Sequence, residues 1–203
     1  MSDPVEEYYR RFGGQAAPTS VTVPVPGATS KAKKTKKEFF TTCWNSLRYF
    51  ITYASLHDFK ASEGHKSSNV LDIWAEERLK LLINKVNSNL ENYEVLLAAK
   101  EFAPFVQDMS TWFIRRSRDR LASGDLDALN TLYRLLNTLS ILLAPFLPLY
   151  ADEMYLSLNP DNALDSVHLV NFPHKELVEE DILVKMDVVR DICSLGNAIR
   201  KEK

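Results

Sequence analysis

The nine residues Trp112–Arg120, WFIRRSRDR, concentrate the side chains of this 203-residue chain best suited to holding a polyanion. Arginine presents a rigid fork of donors that fits phosphate oxygens and a flat face that stacks on bases. On a regular helix Arg115 and Arg118 lie about 60° apart, and Arg116 and Arg120 about 40° apart. Both pairs are expected to fall off the stripe of Phe102, Val106, Met109 and Phe113, so that the guanidiniums project from the surface. Trp112 lies one turn before Arg116 and offers a ring on which a base or sugar stacks. A second reading fits the residues equally well. In it the arginines pair with carboxylates such as Asp108 and Asp119, and Trp112 belongs to the core.

Other chemistry has less to build on. No nucleophile elbow, phosphate-binding glycine loop or dinucleotide fingerprint occurs, and the glycine pair Gly13–Gly14 lies far from any helix start. His168 sits between Val167 and Leu169, where a structural role outranks a catalytic one. The pair Asp152–Glu153 falls in the first turn expected after Pro148, where carboxylates favour the helix dipole. No active site is expected. Cys43 and Cys193 lie far apart in helical patterns; they could pair as a disulfide, but two buried free thiols in a reducing cytosol is the favoured reading. No pair among the cysteines and histidines has zinc-finger spacing.

The net charge of −2 argues against nucleic acid only on average. Charge is local: five lysines fall between Lys31 and Lys37 and four arginines between Arg115 and Arg120. The lysine run reads first as a solvated lead-in to a helix, and the arginine run equally as a binding stripe or as partners of nearby carboxylates. No membrane span is expected, because the longest apolar run, Leu139–Tyr150, is interrupted by Pro145 and Pro148.

These residues must be positioned by helices. Residues 1–36 carry Pro18, Pro24, Pro26 and Gly27 without a usable period, and read as a flexible, disordered leader. From Lys37 an amphipathic helix carries Phe39, Phe40, Cys43, Trp44, Leu47, Phe50, Ile51 and Ala54. A second starts near Val70, with Trp74, Leu79, Leu82, Ile83, Val86 and Leu90 inward. A third runs from Glu94 towards Leu121, kinked by Pro104. Gly124 ends it and Asp125 caps a fourth, with Leu129, Leu132, Tyr133, Leu136, Leu139 and Leu143 on its apolar face. A short fifth helix holds Tyr150, Met154 and Leu158. A loop with an extended piece at Val167–Val170 follows. A last helix from about Glu179 turns Ile182, Leu183, Met186, Val189, Cys193 and Ile199 inward. The expected architecture is an all-α helical bundle over residues 37–160, followed by a connecting loop and C-terminal helix over 161–203.

The segments LDIWAEERL (71–79), DMSTWFIRRSRDR (108–120), TLYRLLNTLSILLAPFLPLYADEMYLSL (131–158) and SVHLVNFP (166–173) together resemble the anticodon-binding domain of isoleucyl-tRNA synthetases, class I aminoacyl-tRNA synthetases. CWNSLRYFITYASL (43–56) is similar to that family's opening helix, and VVRDICSLGNAIRKE (188–202) to the helix that follows. The basic WFIRRSR piece favours the isoleucine over the valine enzymes. The resemblance implies a bundle that grips the anticodon stem and loop of tRNA(Ile) in the cytoplasm. It makes Trp112, Arg115, Arg116, Arg118 and Arg120 the RNA-facing candidates. The family's two ATP-binding signatures are absent from this chain, so ATP and Mg are expected in a separate catalytic synthetase domain or chain, and this chain is expected to be inactive alone. Where the family continues with more arginines and an aromatic pair, this chain has Asp119 and then Leu121–Ala122. The alternative is a stand-alone helical interaction module that has kept the fold and lost the RNA.

Overall fold

The computed structural model describes residues 30–62, 64, 66–159 and 164–201, and among these no strand occurs. Helix α1 spans Ser30–Leu56. It begins inside the stretch expected to be a leader, and residues 1–29 lie outside the described part. The earlier start has a simple cause: Lys and Ala, strong helix formers, dominate residues 31–37 after the last of the leading prolines and glycines. Helix α2 spans Val70–Glu91 and is capped by Asn69, whose side chain accepts from the Leu71 N–H. It ends where Tyr93 takes a positive φ of 61°, its ring almost wholly exposed.

The expected third helix is not continuous. It is divided into α3 (Val95–Lys100), α4 (Phe102–Asp108), a π-helical segment (Met109–Ile114) and α5 (Arg118–Ala122). Pro104 has no N–H to give the Lys100 carbonyl, and the helix breaks one residue past Lys100, leaving proline in the first turn of α4 where that loss is tolerated. Thr111 donates its hydroxyl to the Gln107 carbonyl at 2.7 Å. Such back-bonding competes with the main-chain ladder, and here the following Arg115 N–H reaches the Ser110 carbonyl five residues back. A bend at Ser117 completes the interruption.

Gly124 turns the chain at φ +80°, and Asp125 accepts from the Ala128 N–H at 3.1 Å to start α6 (Leu126–Leu143). This helix is the centre of the bundle. Leu135 and Leu142 are buried as completely as Leu129, Leu132, Leu136 and Leu139, so its apolar surface wraps nearly all round. Cys43, Leu47 and Phe50 of α1, Trp74, Leu82 and Val86 of α2, and Phe102, Val106, Met109 and Phe113 pack around it in one core. Helix α7 (Pro148–Leu158) adds Met154 and Leu158.

The chain then differs from expectation twice. Val167–Leu169 forms a 3-10 turn rather than an extended piece, because Asp152 accepts from the Ser166 hydroxyl and the Val167 N–H, both at 2.8 Å, and folds the chain back on itself. Asp152 is thus an anchor, and His168 is exposed. Helix α8 (Glu180–Lys201) buries only Leu183 of the six residues expected to face inward. Ile182 and Met186 are half-buried against the core and Cys193 is half-buried, while Val189 and Ile199 are exposed. The helix is tied on at its start by polar bonds to α2. Asn84 exchanges two hydrogen bonds with the Glu176 backbone, and the Glu179 N–H donates to Glu77 at 2.8 Å. One face of an amphipathic helix stays wet when only its first half meets the bundle.

Candidate nucleic-acid interface

The structure separates the five expected site residues into three groups. Arg115, Arg116 and Arg118 are exposed, flanking the bend at Ser117, whose own side chain is buried. Among the described residues none of these three forms an ion pair with a carboxylate, so their donors face solvent. Arg115 and Arg118 lie on opposite sides of the bend, so the angle between them on a regular helix does not apply. Asp119 is exposed and makes no ion pair among the described residues, so the expected neutralisation of a neighbouring arginine is not observed.

Trp112 and Arg116 belong together. The Arg116 guanidinium carbon lies 4.7 Å from the centre of the indole, and that of Arg190 from α8 lies 5.5 Å from it. A cation over an indole is attracted by the negative ring face, by about 0.5–1 kcal/mol at exposed sites. Trp112 is half-buried: it packs on the edge of the core and lends its ring to two cations. Arg190 is held there by Asp108, a carboxylate 5% exposed, through contacts of 2.5 and 3.3 Å. Arg78 of α2 donates to the same carboxylate at 2.7 Å. Asp108 is paired, as one reading of the sequence had it, but with arginines of α2 and α8. Arg190 also pairs with Asp187 at 3.4 Å, so three guanidiniums (Arg78, Arg116 and Arg190) stand against two carboxylates and leave this corner with one positive charge in excess.

Arg120 does not project into solvent as the other three arginines do. It grips Asp72, which is fully buried in the first turn of α2, through two parallel bonds of 2.7 and 2.8 Å. It also donates to Asp125 at 2.9 Å. Hydrogen bonds donated to Asp72, outweighing the cost of burial, push the guanidinium further up from its already high range, so it stays charged. Burial alone would raise the Asp125 carboxyl, but bonds from Arg120 and the Ala128 N–H hold it below its ordinary value. Ser67 completes the cluster by donating to Asp72 at 2.7 Å. This is a clamp between α2, α5 and α6, and it corrects the expectation that the Arg120 guanidinium projects from the surface. The bend at Ser117 lies between Phe113 and Arg120, so no helical spacing signals the inward turn, and the partner Asp72 is 48 positions away.

A family model described as the anticodon-binding domain of tRNA ligase matches residues 72–203. The chain belongs to that family. It is also 35% identical over 190 residues to the isoleucine–tRNA ligase of Clostridium novyi (strain NT), a match covering 88% of this chain and 18% of that protein. The isoleucine–tRNA ligase of Clostridium kluyveri is 36% identical over 178 residues, 81% of this chain and 17% of the relative. That of Chlamydia trachomatis serovar A is 36% identical over 169 residues, 78% and 16%. The chain therefore spans about 18% of the length of the first of these relatives. Among the described residues no helix is long and apolar enough to cross a membrane.

Arg78 and Arg190 are the members of this anticodon-binding domain's basic corner that sequence reasoning missed. Each lies in an amphipathic helix where a single arginine is ordinary. Only the fold shows that both converge on Asp108.

Proposed function

We propose that the chain holds the anticodon stem and loop of a cytoplasmic isoleucine-accepting tRNA. Activation of isoleucine with ATP and Mg would then belong to another part of the ligase. The observation that carries this reading is the exposed Arg115, Arg116 and Arg118, unpaired with any described carboxylate, beside a positive Trp112–Arg190 corner. Phosphates are the natural partners of such a group, because guanidinium forks bond phosphate oxygens in pairs and neutralising phosphates releases counterions. The names of the relatives favour isoleucine as the cognate amino acid.

Three phosphate contacts to a partly single-stranded target give a slope of log affinity against log salt of about −2, at about 0.7 per contact. A labelled anticodon stem-loop titrated at two salt concentrations should show that slope. The double variant R115A/R118A should lose about 1.4 of it with its helical signal intact. An unchanged slope would move the interface off this segment. Absence of binding by the folded wild type would favour the stand-alone interaction module. The purified chain should support no isoleucine-dependent exchange of pyrophosphate into ATP, and exchange above a heat-killed control would overturn the division of labour.

A further inference from the structure

Phosphate contacts position an RNA but do not read it, and the stacking aromatic expected at Trp112 is already occupied by two cations. Another aromatic pair stands on the neighbouring face. Tyr49 and Tyr53 are one turn apart on α1, both half-buried, with ring centroids 4.7 Å apart and planes at 55°. That tilt leaves the pair splayed rather than sealed as a flat stack. The Tyr49 hydroxyl donates to the main-chain carbonyl of Arg118 at 3.4 Å, which sets the rings against the first residue of α5. Burial and the neighbouring Tyr53 raise the Tyr49 hydroxyl above its ordinary range, so it remains a neutral donor.

The surroundings suit a nucleic acid. Between Glu38 and Asp58 the chain has no acidic residue, and the outward positions of α1 beside the tyrosines are Asn45, Arg48, Thr52 and Ser55, all exposed. Neither Arg48 nor Arg118 forms an ion pair among the described residues. The face thus offers two aromatic rings, two uncommitted arginines and neutral hydrogen-bonding side chains; no carboxylate follows Glu38 on α1, and the nearest one in sequence to Arg118 is the exposed Asp119. An all-aliphatic protein partner would find little complementarity here.

Building on the RNA-binding reading above, we propose that Tyr49 and Tyr53, flanked by Arg48 and Arg118, form a platform on which an unpaired nucleobase of the bound RNA stacks. Arg118 belongs to both the phosphate group and this platform, and so sets the distance between them. Stacking on an aromatic ring tolerates any base and contributes roughly 5- to 150-fold in affinity per base, about 1–3 kcal/mol. It involves no counterion release, so it is nearly independent of salt.

The test uses the full chain, the labelled stem-loop with its unpaired loop, and a fully paired RNA duplex of the same number of phosphates. Tyr53→Leu keeps apolar bulk but removes the flat ring, and Tyr53→Phe restores it. The expected result is at least about a fivefold loss for Tyr53→Leu on the stem-loop, near-wild-type affinity for Tyr53→Phe, an unchanged salt slope, and no loss on the duplex. Equal losses on stem-loop and duplex would show a structural role and overturn the platform. Unchanged stem-loop binding by Tyr53→Leu would overturn it while leaving the phosphate interface standing. No RNA binding by folded wild type would overturn both. A Tyr49→Leu variant with the same thermal midpoint as wild type repeats the comparison at the second ring.

Discussion

Replacing Arg120 by Ala should damage the fold and spare the interface. Asp72 is fully buried and receives two bonds from Arg120 and one from Ser67. Removing the guanidinium leaves a buried carboxylate with a single hydroxyl donor. Breaking a buried ion pair from one side typically costs about 3–5 kcal/mol. The Arg120 side chain is 25% exposed, so water can enter the space it leaves, which argues for the lower half of that range. With about 3 kcal/mol lost, a chain of this size should melt about 6–12 °C lower. Thermal unfolding followed by circular dichroism checks this. The second variant, R120A/D72N, removes the stranded charge and should recover part of the loss. The control R118A, at an exposed position without an ion pair, should stay within about 0.5 kcal/mol of wild type. At temperatures where R120A is folded, its RNA salt slope should equal that of wild type. A stability loss below about 1 kcal/mol together with a slope reduced by about 0.7 would refute the clamp, and return Arg120 to the phosphate contacts.

Gly124→Ala should destabilise by more than about 1 kcal/mol, since it forces a side chain into φ +80° and puts a Cβ 2.6 Å from the His57 ring nitrogen. A melting curve indistinguishable from wild type would show that the turn relaxes. Leu136→Ala, at a fully buried position of α6, should cost about 2–5 kcal/mol in urea unfolding, whereas a value near 0.5 would place it on the surface. The two thiols should separate in alkylation of the native protein near pH 8. Cys43 is buried against Met154 and its thiol is pushed up to about 11, chiefly by burial, so it should stay unreacted until denaturant is added, while half-buried Cys193 reacts first. Equal native rates for both would contradict the packing of α1 on α7.

The sequence by itself determined the helical class and most of the core. The inner stripes of α2 and α6, the cap at Asp125 and the turn at Gly124 follow from local spacing and turn chemistry, which tertiary contacts merely reinforced. The collinear segments also carried the family. Local rules failed where a side chain's partner lies far along the chain. Arg115, Arg116, Arg118 and Arg120 are alike in sequence, and Arg120 alone is withdrawn from the surface because α2 brings Asp72 to it across 48 positions. Asp108 binds arginines 30 and 82 residues away, and Trp112 acquires a second cation from α8. The wet face of α8 has the same origin, since periodicity shows that a helix has an apolar side but not whether a neighbour covers it. Local free energies choose the elements. Which charges are paired and which stay open to RNA depends on the charges of other elements that packing brings within about 4 Å, where Coulomb and hydrogen-bond energies become decisive.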